Sequence, residues 1–278
     1  MTQDRNTQDE NTQDRSTLAA LGLRPMSARS VVASVLLGSH PPELPVAALV
    51  HLCSRFGIAE GTTRVALSRM VAAGELAAVE SESGAAPART PAYRLVGEAL
   101  LGRQRAQDEA RHPPREPWDG TWRLAVVVSG SRSAGERAEL RRAFGEARFA
   151  EWREGVWLRP ANLPVPDDAR LKEGPCRWLA VHPEDNPLAL AGELWDLNGW
   201  KDRGRQLVRV AGVEPSSMDG EGAATVFAAA AAVLRHLRTD PLLPVELLPS
   251  DWPAEDLRAS YAAHVDAIVR LVDGLTLS

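Results

Sequence analysis

No stretch of this 278-residue chain approaches eighteen consecutive apolar residues, so none reads as a membrane-crossing helix. The opening MTQDRNTQDENTQDRST lacks the apolar core of a secretory signal, and the protein is expected to stay in the cytoplasm. Cysteine is scarce. Cys53 and Cys176 sit far apart among apolar residues, which suits free buried thiols in a reducing compartment better than a disulfide. The six histidines are scattered, with no two spaced three to five residues apart, so no metal site is spelled out.

Catalytic signatures are missing as well. There is no nucleophile elbow, phosphate-binding loop or zinc signature. Gly220-Glu221-Gly222 opens a helix but follows no strand and lacks a third glycine, so a dinucleotide reading fails. The strand ending Val126-Val127-Val128-Ser129-Gly130 offers no carboxylate for Mg²⁺. The expectation is a non-enzyme with no catalytic residue, metal ligand or cofactor.

An overall positive charge is the last absence. The net charge is −5, so the whole molecule does not attract nucleic acid. Locally the balance reverses: from Arg24 to Arg115 there are 11 arginines against 8 acidic residues, a net +3, and the remainder is acidic. That asymmetry permits DNA binding at one end.

What is present is a globular composition, 44% hydrophobic and 25% charged, over a length that suits two or three domains. Three TQD copies, at positions 2, 7 and 12, fill a start with almost no apolar side chain. Residues 1–23 are therefore expected to be a disordered tail, since burial cannot offset their ordering entropy.

The segment 24–97 then alternates apolar periodicity with helix stops. Ser27–Leu37 reads as an apolar helix closed by Gly38 and Pro41-Pro42. Pro45 fits the first turn of a second helix with Val46, Leu49, Val50, Cys53 and Phe56 on its inner stripe. Gly57 ends it, and Ile58 plugs the corner. A third helix spans Glu60–Ala73, with Thr63, Ala66, Leu67 and Met70 inward and Thr62, Arg64, Val65, Ser68 and Arg69 outward. Short strands follow at Leu76–Val79 and Tyr93–Val96. Helix, helix, turn, helix and a two-stranded wing is the order of a winged helix-turn-helix.

A polar helix to Arg111 and the run His112-Pro113-Pro114-Arg115-Glu116-Pro117 form a semi-rigid linker over 98–117. All eight tryptophans lie beyond it. Over 118–196 strands at Trp122–Val128, Phe149–Trp152, Val156–Arg159 and Arg177–Val181 alternate with helices at Ala134–Phe144 and Leu188–Leu194, while the proline-flanked stretch before Arg177 reads as a loop. This is the pattern of a small ferredoxin-like α/β sandwich. Trp118, Trp122 and Trp157 read as packing groups. Residues 197–278 read as a helical domain broken by the proline-rich Asp240–Pro253. The fold class is thus α+β in three domains.

Three pieces in this order resemble the PaaX family, repressors of phenylacetic acid catabolism and their relatives. They are Trp118-Asp119-Gly120-Thr121-Trp122, Gly155-Val156-Trp157-Leu158-Arg159-Pro160, and DPLLPVELLPSDWP from Asp240 to Pro253. The helix from Arg64 to Met70 followed by Gly74 and Leu76 also fits the family's recognition helix, although Glu75 stands where relatives usually carry an aromatic. The resemblance covers nearly everything after residue 24. It implies a homodimeric repressor on a palindromic double-stranded operator, with an aryl- or acyl-CoA thioester as effector. Candidate DNA contacts are Thr62, Thr63, Arg64, Ser68 and Arg69 on the third helix and Arg89 and Arg94 in the wing, since arginine serves both phosphates and guanine edges. A CoA-type effector needs cations beside an apolar slot, for which Trp195, Arg203, Arg205, Arg235 and Arg238 are candidates. Rival readings are an activator of the same architecture and an acyl-CoA binding protein whose winged helix serves protein contacts.

Overall fold

The computed structural model describes residues 27–39, 42–81, 90–128, 133–172, 174, 176–211 and 221–276. The TQD tail, Arg89 and Gly220 lie outside them. The described residues pack as two units that do not follow chain order. One comprises the described residues up to 111 together with those of 204–238 and 254–276; the other takes those of 112–203 and 239–253.

In the first unit, α1 (Ala28–Gly38) starts at Ser27, whose hydroxyl accepts from the Ser30 amide at 3.2 Å. Val31, Val32, Val35 and Leu36 bury its inner face. A short strand not foreseen in the sequence, β1 (Glu43–Pro45), precedes α2 (Val46–Arg55), so Pro45 ends a strand and caps the helix instead of entering its first turn. Three residues are too few for alternation to register. At the end of α2 the Ile58 amide donates to the Cys53 carbonyl and the Gly57 amide to that of Ser54, with Gly57 at φ +68°. This closure satisfies the last carbonyls and turns the chain sharply. It aims α3 (Glu60–Ala72) across α1 and α2.

The same closure ends α3. The Glu75 amide donates to the Met70 carbonyl, the Gly74 amide donates to that of Val71, and Gly74 sits at φ +70°. Then β2 (Leu76–Ser81) and β3 (Thr90–Leu95) pair antiparallel, with β3 in the middle of the sheet order β1-β3-β2. Leu44, Leu76 and Leu95 seal the sheet onto the helices, whose contribution includes Leu49, Leu52, Leu67 and Met70. Helix α4 (Gly97–Arg111) follows.

The second unit holds β4 (Trp122–Val127), α5 (Ala134–Glu146), β5 (Ala150–Arg153), β6 (Val156–Pro160), α6 (Ala169–Lys172) and β7 (Cys176–Val181). The sheet order β5-β6-β4-β7, antiparallel throughout, and the order βαββαβ fit the ferredoxin-like arrangement. The one-turn α6 lies in the stretch that reads as a loop in sequence; four residues carry no helical period, and the buried Leu171 anchors it. Alternation along the strands divides two cores. Trp122, Leu158 and Leu190 of α7 (Pro187–Leu194) share one, whereas Ala125, Trp157 and Phe144 share the other, where Phe144 and Trp157 stack at 4.6 Å.

The remaining helices are α8 (Leu197–Ala211), α9 (Glu221–Leu237) and α10 (Ala254–Thr276), with a 3-10 turn at Val245–Leu247. Within the first unit α10 packs on α9 and α1. Arg258, buried, donates from Nε to the Ala110 carbonyl at 3.1 Å, and Arg111 lies over the Tyr261 ring. No helix among the described residues is long and apolar enough to cross a membrane.

Candidate nucleic-acid interface

Helix α3 presents two faces because 3.6 residues make a turn. Thr63, Leu67 and Met70 are buried, and Thr62, Arg64, Val65, Ser68 and Arg69 are exposed. Four of the five third-helix candidates thus share the outer surface. Thr63 does not. Its side chain is fully buried, and its hydroxyl donates to the Ala59 carbonyl at 3.3 Å, so it packs within the helix bundle. Burial also pushes the neighbouring Cys53 thiol up, against a smaller opposing contact from Thr63.

The charges on this surface are partly met from within the chain. Arg64 donates from Nε to Glu60 at 2.8 Å, one helical turn earlier, with both side chains exposed. The hydroxyl of Ser68 donates back to the Arg64 carbonyl at 3.1 Å. On β3, Arg94 donates to the Glu43 carboxylate at 2.8 and 2.5 Å, and the two residues are direct cross-strand partners. Sequence reasoning missed both carboxylates. The Glu60–Arg64 spacing of four was a legible signal; the Glu43–Arg94 pair was not, because it depends on the unexpected β1.

The effector candidates are distributed over both units. Trp195 is half-buried and stacks on Trp122 with ring centres 6.4 Å apart, which makes it part of an aromatic core together with Trp118. Arg203 belongs to the same unit, while Arg205, Arg235 and Arg238 belong to the other. Trp118 donates from its indole to the Thr121 carbonyl at 2.7 Å. Arg159, in the Gly155–Pro160 motif, is buried and donates to the carbonyls of Leu163 and Pro164, at 3.3 and 2.6 Å, beneath the Phe149 ring. Burial pushes its guanidinium pKa down to about 10; Arg123, directly opposite on β4, adds to the shift and Glu116 opposes it. Among the described residues no group of three or more His, Cys, Asp or Glu side chains is placed to hold a metal ion.

A family profile described as PaaX-like protein matches residues 27–99, and one described as PaaX protein central Cas2-like domain matches residues 115–170. Among solved structures, the uncharacterized protein Rv0674 from Mycobacterium tuberculosis is 44% identical. The match covers 91% of this chain and 99% of that one, with a TM-score of 0.74. No curated protein matches.

Proposed function

The chain belongs to the PaaX-like family, and from that premise we propose that it is a DNA-binding transcriptional repressor of a catabolic operon. In this reading residues 24–97 act as a winged helix-turn-helix, with α3 as recognition helix and β2 and β3 as the wing. The observation that carries it is the outer face of α3, where Thr62, Arg64, Ser68 and Arg69 stand exposed opposite a buried face. In the same reading Arg89 and Arg94 are the wing's candidate phosphate contacts.

One recognition helix per chain reads one half-site, so the proposal includes a homodimer on a two-fold operator. Half-site centres then fall about 10 bp apart or at a multiple of that. By role, the proposal assigns a tail (1–23), a helical linker (98–117), a ferredoxin-like domain (118–196) and a helical effector and dimerisation segment (197–278), the last shared between the two packing units. The effector is an aryl- or acyl-CoA thioester, for which Trp195 and Arg203 in one unit, and Arg205, Arg235 and Arg238 in the other, are separate candidate contacts. It releases DNA only if it binds the DNA-incompetent conformation more tightly.

The test is a gel shift on the region upstream of the protein's own gene, titrated with CoA thioesters and the matching free acids. Specific retardation, reversed by a thioester and not by its acid, is the expected result. No specific retardation overturns the regulator reading, and release by a free acid alone overturns the thioester part.

The Glu60 and Glu43 carboxylates favour a second reading, since each neutralises a candidate DNA-binding cation. It is an acyl-CoA binding protein whose winged helix contacts another protein. Thioester binding without DNA retention would select it. An activator of the same architecture would raise, not lower, output from a reporter carrying the operator.

A further inference from the structure

Val65 occupies the outermost line of α3. Since Thr63, Leu67 and Met70 are buried, the positions half a turn away point most directly outward, and 65 is at their centre. The residue is 51% exposed, although a β-branched residue is a poorer helix former than Ala, Gln or Lys. Arg64 and Arg69 lie on either side of this line. Of the polar groups beside it, the Ser68 hydroxyl donates to the Arg64 carbonyl and the Arg64 Nε to Glu60, while the longer arginines reach outward past the line. What the middle of the face offers a partner is therefore an apolar contact.

In the major groove of B-DNA, the apolar group on a base edge is the pyrimidine C5-methyl of thymine; the other groups there are hydrogen-bond donors and acceptors. We propose that Val65 reads sequence by packing on a pyrimidine C5-methyl group, with Arg64 and Arg69 reaching the flanking phosphates. The inference rests on the DNA-binding reading above and adds to it the residue and the base feature that set specificity. The methyl belongs to thymine; 5-methylcytosine presents the same chemistry and is separated by experiment.

The test uses the full chain. Duplexes are selected from a random synthetic library, in parallel with the same library methylated at cytosine C5. Each thymine of the selected site is then exchanged singly for deoxyuridine, which removes only the methyl. The unmethylated library is expected to yield a site in which one exchange per half-site weakens binding about fourfold, the value of one buried methyl group. Val65→Ala should lose a similar factor on the thymine duplex and become indifferent to that exchange. Val65→Thr, which keeps one methyl and the shape of the side chain, should fall between. Recovery from the methylated library alone would assign the methyl to 5-methylcytosine and overturn thymine as its source. Specific binding by wild type and Val65→Ala alike, insensitive to every exchange, would overturn the inference and leave the regulator reading intact. Failure to select any duplex would overturn both.

Discussion

Arg29 donates two hydrogen bonds to the Glu75 carboxylate, from Nε to Oε2 at 3.0 Å and from Nη2 to Oε1. The pair ties the first turn of α1 to the corner where α3 gives way to β2. Glu75 has 12% of its side chain exposed and Arg29 has 59%, so solvent screens one end. Glu75→Ala should therefore lower stability modestly, by about 0.5–1 kcal/mol in urea denaturation. An unchanged midpoint would mean that the corner is held by its backbone closure alone.

Gly74 makes that closure at φ +70°, where a side chain meets no atom within 4 Å but the backbone conformation is unfavourable. Gly74→Ala should be destabilising by about 1–2 kcal/mol, through backbone strain and not through a clash. Equal stability of the two proteins in the same denaturation assay would contradict this.

Arg64 and Glu60 make opposite predictions for DNA. If Arg64 meets a phosphate, Arg64→Ala should shrink the log–log salt slope of operator binding by roughly 0.9 per chain. Glu60→Gln removes the carboxylate that competes for the same guanidinium and should tighten binding at low salt. The fold should survive either change, because both side chains are exposed. Wild-type affinity and slope in both variants would take the pair out of the interface.

The two cysteines should react at different rates. Cys176 is half-buried and Cys53 is buried, with its thiol pushed up by desolvation. A chromogenic disulfide reagent should label Cys176 in the native protein and reach Cys53 mainly on unfolding. A raised folded-state pKa also carries a sign. Its stabilising contribution is fully present below the ordinary thiol pKa and is lost as pH rises through the folded value. Cys53→Ala should remove that alkaline decline. Equal labelling of both thiols in the native state would show that Cys53 is accessible.

The helices of the first unit were legible in the sequence because their signals are local. Apolar residues recur every three or four positions, and Gly57 and Gly74 fall where only a left-handed residue closes the turn. The strands of the ferredoxin-like sandwich were legible through period-two alternation, and the outer face of α3 through the same helical arithmetic. Three other features were decided only by the tertiary structure. Strand β1 exists because β3 offers it a partner, and three residues cannot announce a ladder by themselves. The burial of Glu75 reflects Arg29, 46 positions away. The division into units joins α9 and α10 to the N-terminal helices, and no local pattern along the chain says which distant helix covers which. Local propensity fixes an element and its apolar face, whereas the identity of the surface that buries this face is a property of the whole chain.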